Sequence, residues 1–302
     1  MGFSQSSAVC RVAHAMPSAP LSSAAFANSV LRLARYRDRP VVVKLGGSAM
    51  EDPAATHACL QSVVVLGTLG IPIILVHGGG KPIDRAMAAA GLTPKKVAGR
   101  RYTDDATLEI VVRVLGEEIN LGLVGAIRDM LGQAHRESDA IFGDRLTLPD
   151  TDGCPIDLGR VGSVTRIDDS RLLNSLGSGS IPVIPSLAHA TDGSWLNINA
   201  DTAASAVAGA LNARYAIFLT DTPGVLRDRT DPTSLLSSLS REECRGLISS
   251  GVIDGGMVPK IEACFEALDA GAEAALILDG RIPYSLLDVF LKDTFAGTTI
   301  TR

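Results

Sequence analysis

Apolar positions along the chain fall into two kinds of run. Short unbroken or nearly unbroken ones occupy 41–45, 71–76, 181–184, 216–219 and 274–278, with a shorter one at 195–198. Their length and their Val and Ile content predict strands buried on both faces. Between them, apolar residues recur at helical spacing and predict helices over 24–35, 54–69, 81–90, 106–115, 202–211, 241–249 and 258–270. Strand, glycine loop, helix, strand, glycine loop, helix is the grammar of a parallel α/β sheet. The stretch 131–162 is polar and rich in turn residues, and it reads as hairpins. No Ser/Gly linker divides the chain and no internal repeat occurs, so one continuous sheet with two functional halves is expected.

Glycine turns follow three of the strands: Gly46-Gly47, Gly78-Gly79-Gly80 and Gly224. In open α/β sheets ligands sit outside the carboxyl ends of the strands, and glycine lets backbone N–H groups approach an anion there. Three such turns at one edge, two of them next to Lys44 and Lys81, point to anion or phosphate binding. The common alternatives are missing. There is no G-x-x-x-x-G-K-[ST], no G-x-G-x-x-G opening a helix after the first strand, and no G-x-S-x-G elbow. His77 is read as a structural turn histidine rather than a base. Lys44 ends a buried strand, where a charge is costly unless paired or facing an anion. Lys260 stands at a helix start, where the dipole disfavours a cation unless a phosphate overrides it. Asp201 also opens a helix, and by position alone it reads as an ordinary cap.

Composition narrows the class. Apolar residues are 46% and charged residues 20%, enough for a sizeable core. The net charge of −5, without a basic stripe, and the 4% aromatic content argue against a nucleic-acid partner. Five cysteines lie at scattered spacings with no C-x-x-C and no metal pattern, so no metal site is expected and the thiols read as reduced. The longest uncharged run, 58–76, is broken by Gly67, Gly70 and Pro72, unlike a membrane span. Residues 1–37 lack Asp and Glu and carry Arg11, Arg32, Arg35 and Arg37, a transit-peptide composition, and Met1-Gly2 opens a loose myristoylation pattern. The reading adopted is a tail running into a helical arm, in a cytoplasmic protein.

Taken in order, several segments resemble the amino-acid kinase family. They are Val43-Lys44-Leu45-Gly46-Gly47-Ser48, Val76-His77-Gly78-Gly79-Gly80, Gly99-Arg100-Arg101-Tyr102-Thr103-Asp104, Asn197-Ile198-Asn199-Ala200-Asp201, Leu219-Thr220-Asp221-Thr222-Pro223-Gly224-Val225, Gly255-Gly256-Met257-Val258-Pro259-Lys260 and Leu278-Asp279-Gly280-Arg281. The resemblance implies a three-layer αβα sandwich with a mainly parallel central sheet. It implies an arm at 1–37, an amino-acid-binding half at 38–198 and an ATP-binding half at 199–302. Within the family it points to the members that transfer the ATP γ-phosphoryl group to the side-chain carboxylate of N-acetyl-L-glutamate in arginine biosynthesis. Lys44 and Lys260 would then be catalytic, with Asp201 holding both ammonium groups. Gly79, Gly80, Arg101 and Asn197 would bind the amino acid. Gly46, Gly47, Thr220, Asp221, Gly224, Val225, Leu226, Val252, Ile253 and Asp254 would serve the phosphates and ATP, with Mg2+ bridging ATP oxygens. A homodimer or hexamer is implied, because the helix before Lys44 resembles the arm that links dimers into a ring.

Four positions depart from the family pattern. A glycine-lysine-aspartate turn is replaced by His135-Arg136-Glu137-Ser138-Asp139 and Ile141-Phe142-Gly143-Asp144-Arg145, so a rebuilt hairpin is expected there. Arg100 stands where an apolar residue is usual, a faint likeness to members that phosphorylate carrier-linked aminoadipate or glutamate, which Asn199-Ala200-Asp201 opposes. Leu121 replaces a lysine. The tail 288–298 differs from arginine-sensitive members. A ligand-binding sensor without catalysis is the reading from another class.

Overall fold

The computed structural model describes residues 22–46, 49–97, 99–149 and 152–302. The first part of the arm, the myristoylation pattern, Gly47 and Ser48 lie outside the described residues. The central sheet has eight strands. In chain order these are β1 (Val41–Leu45), β2 (Ile73–His77), β3 (Ala134–Arg136), β4 (Ile181–Pro185), β5 (Tyr215–Thr220), β6 (Ser238–Ser240), β7 (Ala274–Asp279) and β8 (Gly297–Thr301). They lie side by side as β6-β8-β7-β5-β1-β2-β4-β3. All neighbours are parallel except β7 and β8, so β6 and β8 run against the other six. The parallel strands therefore deliver their loops to one edge.

Ten α-helices cover the sheet among the described residues: α1 (Ser23–Leu33), α2 (Pro53–Thr68), α3 (Gly80–Ala89), α4 (Asp105–Val112), α5 (Asn120–Asp129), α6 (Asp169–Gly177), α7 (Ala200–Ala210), α8 (Arg241–Ser249), α9 (Val258–Ala270) and α10 (Ser285–Leu291). Alternation along the strands sorts their side chains between two cores. Val42, Ile74, Val76, Ile184, Phe218 and Ile277 pack against α7, α8 and α9. Val41, Val43, Leu45, Ile73, Leu75 and Leu276 pack against α1, α2, α5 and α10. This is the three-layer αβα sandwich expected, with the inner strands apolar on both faces because both are covered.

Two sequence expectations need correction. The stretch 131–162 is only partly hairpin: Leu148–Pro149 pairs with Pro155–Ile156, whereas β3 is a parallel edge strand of the main sheet, and Ile141–Arg145 joins a separate four-stranded sheet with Gly162–Ile167, Leu187–His189 and Trp195–Asn197. The helix expected over 106–115 does not stop there. It passes from α4 through a π-helical segment, Arg113–Ile119, into α5.

Candidate active site

Lys44 lies on the face of β1 turned toward α7, and it is buried. Its Nζ stands 2.8 Å from Oδ1 of Asp201. Asp201 is free for that contact because another residue caps the helix. The Asn199 side-chain oxygen accepts the N–H groups of Asp201 (2.8 Å) and Thr202 (3.1 Å). The position-only reading of Asp201 as the cap is therefore overturned: the cap is two residues earlier. Burial pushes the Asp201 carboxyl up, but attraction from Lys44 and then Lys260 outweighs this and holds its pKa below the ordinary carboxylate value. Gly46 follows β1 at close quarters. A Cβ there would sit 2.9 Å from Lys44 Nζ and 3.1 Å from the Leu219 carbonyl, so a side chain would displace the ammonium.

Beside this pair is a cavity of about 290 Å³ lined by Gly46, Gly79, Gly80, Arg101, Asn197 and Asp201, among others. The Arg101 guanidinium reaches Asp84 Oδ1 (2.5 Å) and the Gly80 carbonyl (3.1 Å). Asn197 Nδ2 donates to Thr103 Oγ1 at 3.0 Å. Lys96 and Arg100, on the small ribbon of Lys96–Val97 and Arg100–Arg101, also line the cavity. Four cations thus face one carboxylate, an arrangement that attracts a multiply charged anion. Lys96 lies outside every quoted motif, and Arg100 is a departure from the family pattern.

A second cavity, of about 620 Å³, is lined by Asp221, Gly224, Val225, Leu226, Val252, Ile253, Asp254 and Lys260. Arg229 and Met257 line it as well; Arg229 lies outside every quoted motif, and Met257 lies within the one that ends at Lys260 but was assigned no role. Arg229 is ion-paired with Asp254. Thr220 does not line this cavity. It is buried at the end of β5, where its hydroxyl accepts the Thr222 N–H (3.0 Å) and shapes the turn. Gly224 has φ +135°, and a Cβ there would meet Thr298 Oγ1 at 2.6 Å, so the turn requires glycine. Thr298 Oγ1 accepts the Val225 N–H at 2.8 Å, a support from β8 that no local signal announces. Asp279 is held below the ordinary carboxylate value: burial pushes it up, and hydrogen bonds from Arg281 overcome that. Of the predicted site residues that the structure describes, all but Thr220 line one of these two cavities.

The chain matches the amino acid kinase family over residues 39–279. The chain belongs to that family. Among relatives of this amino acid kinase, the acetylglutamate kinase of Akkermansia muciniphila is 39% identical over 274 residues, covering 89% of this chain and 92% of that protein. The acetylglutamate kinase of Synechococcus sp. strain RCC307 is 41% identical over 266 residues, covering 88% and 89%. In fold, it is similar to the N-acetylglutamate synthase of Neisseria gonorrhoeae solved with coenzyme A and N-acetyl-glutamate, with a TM-score of 0.82 at 24% identity. The match covers 92% of this chain and spans 63% of that synthase chain. Among the described residues of this kinase no helix is long and apolar enough to cross a membrane, and no group of three His, Cys, Asp or Glu side chains is placed to hold a metal ion.

Proposed function

We propose that the protein transfers the γ-phosphoryl group of ATP to the side-chain carboxylate of N-acetyl-L-glutamate, giving the acyl phosphate and ADP in the second step of arginine biosynthesis. The kinship with acetylglutamate kinases supports this. The observation that carries it in the structure is the buried Lys44–Asp201 pair beside a cationic cavity, with Lys260 close enough for its charge to act on the same carboxylate.

The nucleophile is already a carboxylate, so no general base is required. One carboxylate oxygen forms the new P–O bond as the bond to the β-phosphate oxygen breaks, and that electron pair leaves with ADP. The difficulty is electrostatic, because two anions must meet and charge must be stabilised on the transferring group. Lys44 does this from the amino-acid side and Lys260 from the nucleotide side, and Asp201 holds the ammonium groups in place. Gly46 and Gly47, with Gly79 and Gly80, offer backbone N–H groups to the phosphoryl and substrate oxygens. Arg101 grips the α-carboxylate, exchanging Asp84 for it, and Asn197 hydrogen-bonds the acetamido group and the α-carboxylate. The apolar wall of Val225, Leu226, Val252 and Ile253 takes the adenine. Mg2+ would enter with the nucleotide rather than on a cage of protein side chains, and there it would neutralise phosphate charge. Residues 38–198 thus serve the amino acid and residues 199–302 the nucleotide within one sheet.

ADP formation from Mg-ATP tests the reading, with N-acetylglutamate, glutamate, aspartate, carbamate and UMP supplied one at a time. Turnover on N-acetylglutamate alone is expected. Turnover on another acceptor only, or ATP binding without turnover, would overturn it. The working assembly is proposed to be a homodimer or hexamer, supported by Phe26 and Leu31 exposed on α1. Sedimentation of the full chain against one lacking residues 1–35 checks the arm, and identical oligomers would remove its role.

A further inference from the structure

His77 and Asn120 are wholly buried beside the glycine loop, and the mechanism above uses neither. Their contacts form a directed chain. The Val183 carbonyl, which also takes the Glu137 N–H, can only accept, so the Asn120 atom 2.9 Å from it is Nδ2, and this fixes the orientation of the amide. The second Nδ2 hydrogen then points at His77 Nε2, 3.0 Å away. Nε2 is therefore the acceptor, the ring hydrogen resides on Nδ1, and Nδ1–H donates to the Gly78 carbonyl at 3.2 Å. Burial pushes the His77 pKa down to about 4, so the ring stays neutral and this tautomer persists at physiological pH.

The consequence lies one bond further on. A trans peptide is planar, so pinning the Gly78 carbonyl toward the buried ring sends the Gly79 N–H the opposite way. Among the described residues that N–H meets no protein acceptor, and Gly79 lines the substrate cavity. The π-helical segment supplies the other half of the clamp. Leu115 and Ile119 press on Gly79 so closely that a Cβ there would come within 2.7 and 2.6 Å of their methyl groups. Arg136 donates to the Gly116 carbonyl within this segment at 2.6 Å, and Asn120 is the first residue after it. A π-helical turn inside a longer helix is frequently tied to a functional site.

We infer that His77 and Asn120 are positioning residues for phosphoryl transfer, acting through the Gly78 carbonyl to aim the Gly79 N–H at the reacting group. The inference rests on the role proposed above for Gly79. Steady-state kinetics with Mg-ATP and N-acetylglutamate on His77→Leu, His77→Asn and Asn120→Leu test it, with thermal melts to verify folding. Asparagine places an N–H donor the same number of bonds from the backbone as Nδ1, whereas leucine places none. His77→Leu should lose kcat roughly tenfold to a hundredfold, less than the ~10²- to 10³-fold for removing such a donor outright because the Gly79 N–H is misaimed rather than lost, with KM for ATP within about twofold. His77→Asn should recover kcat to within about threefold of wild type, and Asn120→Leu should lose about tenfold. Equal losses for the leucine and asparagine variants at 77 would show that the ring only fills space and would overturn the inference. Full kcat in Asn120→Leu would overturn it as well, and that comparison stands even if His77→Leu does not fold. Wild-type protein without turnover on N-acetylglutamate would bring down the proposed function and this inference together, whereas wild-type turnover with equal kcat in all variants would bring down the inference alone.

Discussion

Four cations face one carboxylate in the cavity under the Lys96–Val97 and Arg100–Arg101 ribbon, while the neighbouring cavity sets Lys260 and Arg229 against Asp221 and Asp254 along an apolar wall. Both are built the same way, from loops at the carboxyl edge of one sheet. Under the proposed function their ligands differ in kind as well. A small dicarboxylate offers little apolar surface, so charge must hold it, and bidentate guanidinium contacts give geometry as well as energy. An adenine ring offers a flat apolar face, which Val225, Leu226, Val252 and Ile253 can desolvate. Arg229 is tied to Asp254, which leaves Lys260 as the other cation lining the second cavity. Asp201 sits where the two environments meet and feels a lysine from each.

The contrast can be broken most sharply at its seam. Lys260→Ala should lower kcat on the order of 10²-fold or more, the scale for losing one preorganised charge stabiliser. A change in KM for ATP alone would return Lys260 to the nucleotide cavity and leave Lys44 as the single catalytic cation. Asp201→Asn comes next. Leaving Lys44 buried without its partner should cost about 3 kcal/mol in urea unfolding at neutral pH. The sign with pH follows from the lowered carboxyl: its stabilisation is complete above the ordinary value of 3.8 and is lost as pH falls through the folded-state value. The difference between the two proteins should therefore vanish in strong acid, and a difference that grew in acid would contradict the pairing. Arg101→Ala should raise KM for N-acetylglutamate about tenfold to a hundredfold while KM for ATP stays within about twofold. If both rise together, Arg101 braces the ribbon through Asp84 and does not grip the substrate. The smallest effect is on the apolar wall: Leu226→Ala should raise KM for ATP about threefold and spare KM for the amino acid.

The parts of this site that could be read along the chain are those made by neighbours in sequence. A lysine at the end of an apolar run, glycines directly after it, and a small-residue helix opening on Asn199-Ala200-Asp201 are local signals. Strand-loop-helix grammar puts them at one edge without knowledge of the fold. Asn199 and Asp201 show where such reading fails. Both are good caps, they lie two residues apart, and only the position of Lys44 under α7 decides which one caps and which one pairs. The tail shows the same limit over a longer span. Gly297–Thr301 inserts between β7 and β6, antiparallel to the first and parallel to the second, and its Thr298 holds the Val225 N–H of the Gly224 turn from 73 residues away. Strand pairing of this kind leaves no periodicity in either partner.

The sequence by itself determined the layered α/β class, the sheet edge that carries the ligands and the residue types that meet there, because burial pattern and glycine turns are local properties of the chain. The family resemblance added the expected chemistry. Beyond what the resemblance implied, tertiary structure alone decided that Asn199 rather than Asp201 caps α7, how the cations divide between two cavities, and that a buried histidine reaches across to Asn120. Those facts depend on side-chain direction and separation between segments far apart in the chain, which hydrophobic periodicity does not encode. The His77–Asn120 contact, with its 43-residue separation, is the clearest case. Asn120 directly follows the π-helical segment whose Leu115 and Ile119 pack on Gly79 just beyond the end of β2, a placement that no pattern in the apolar positions announces.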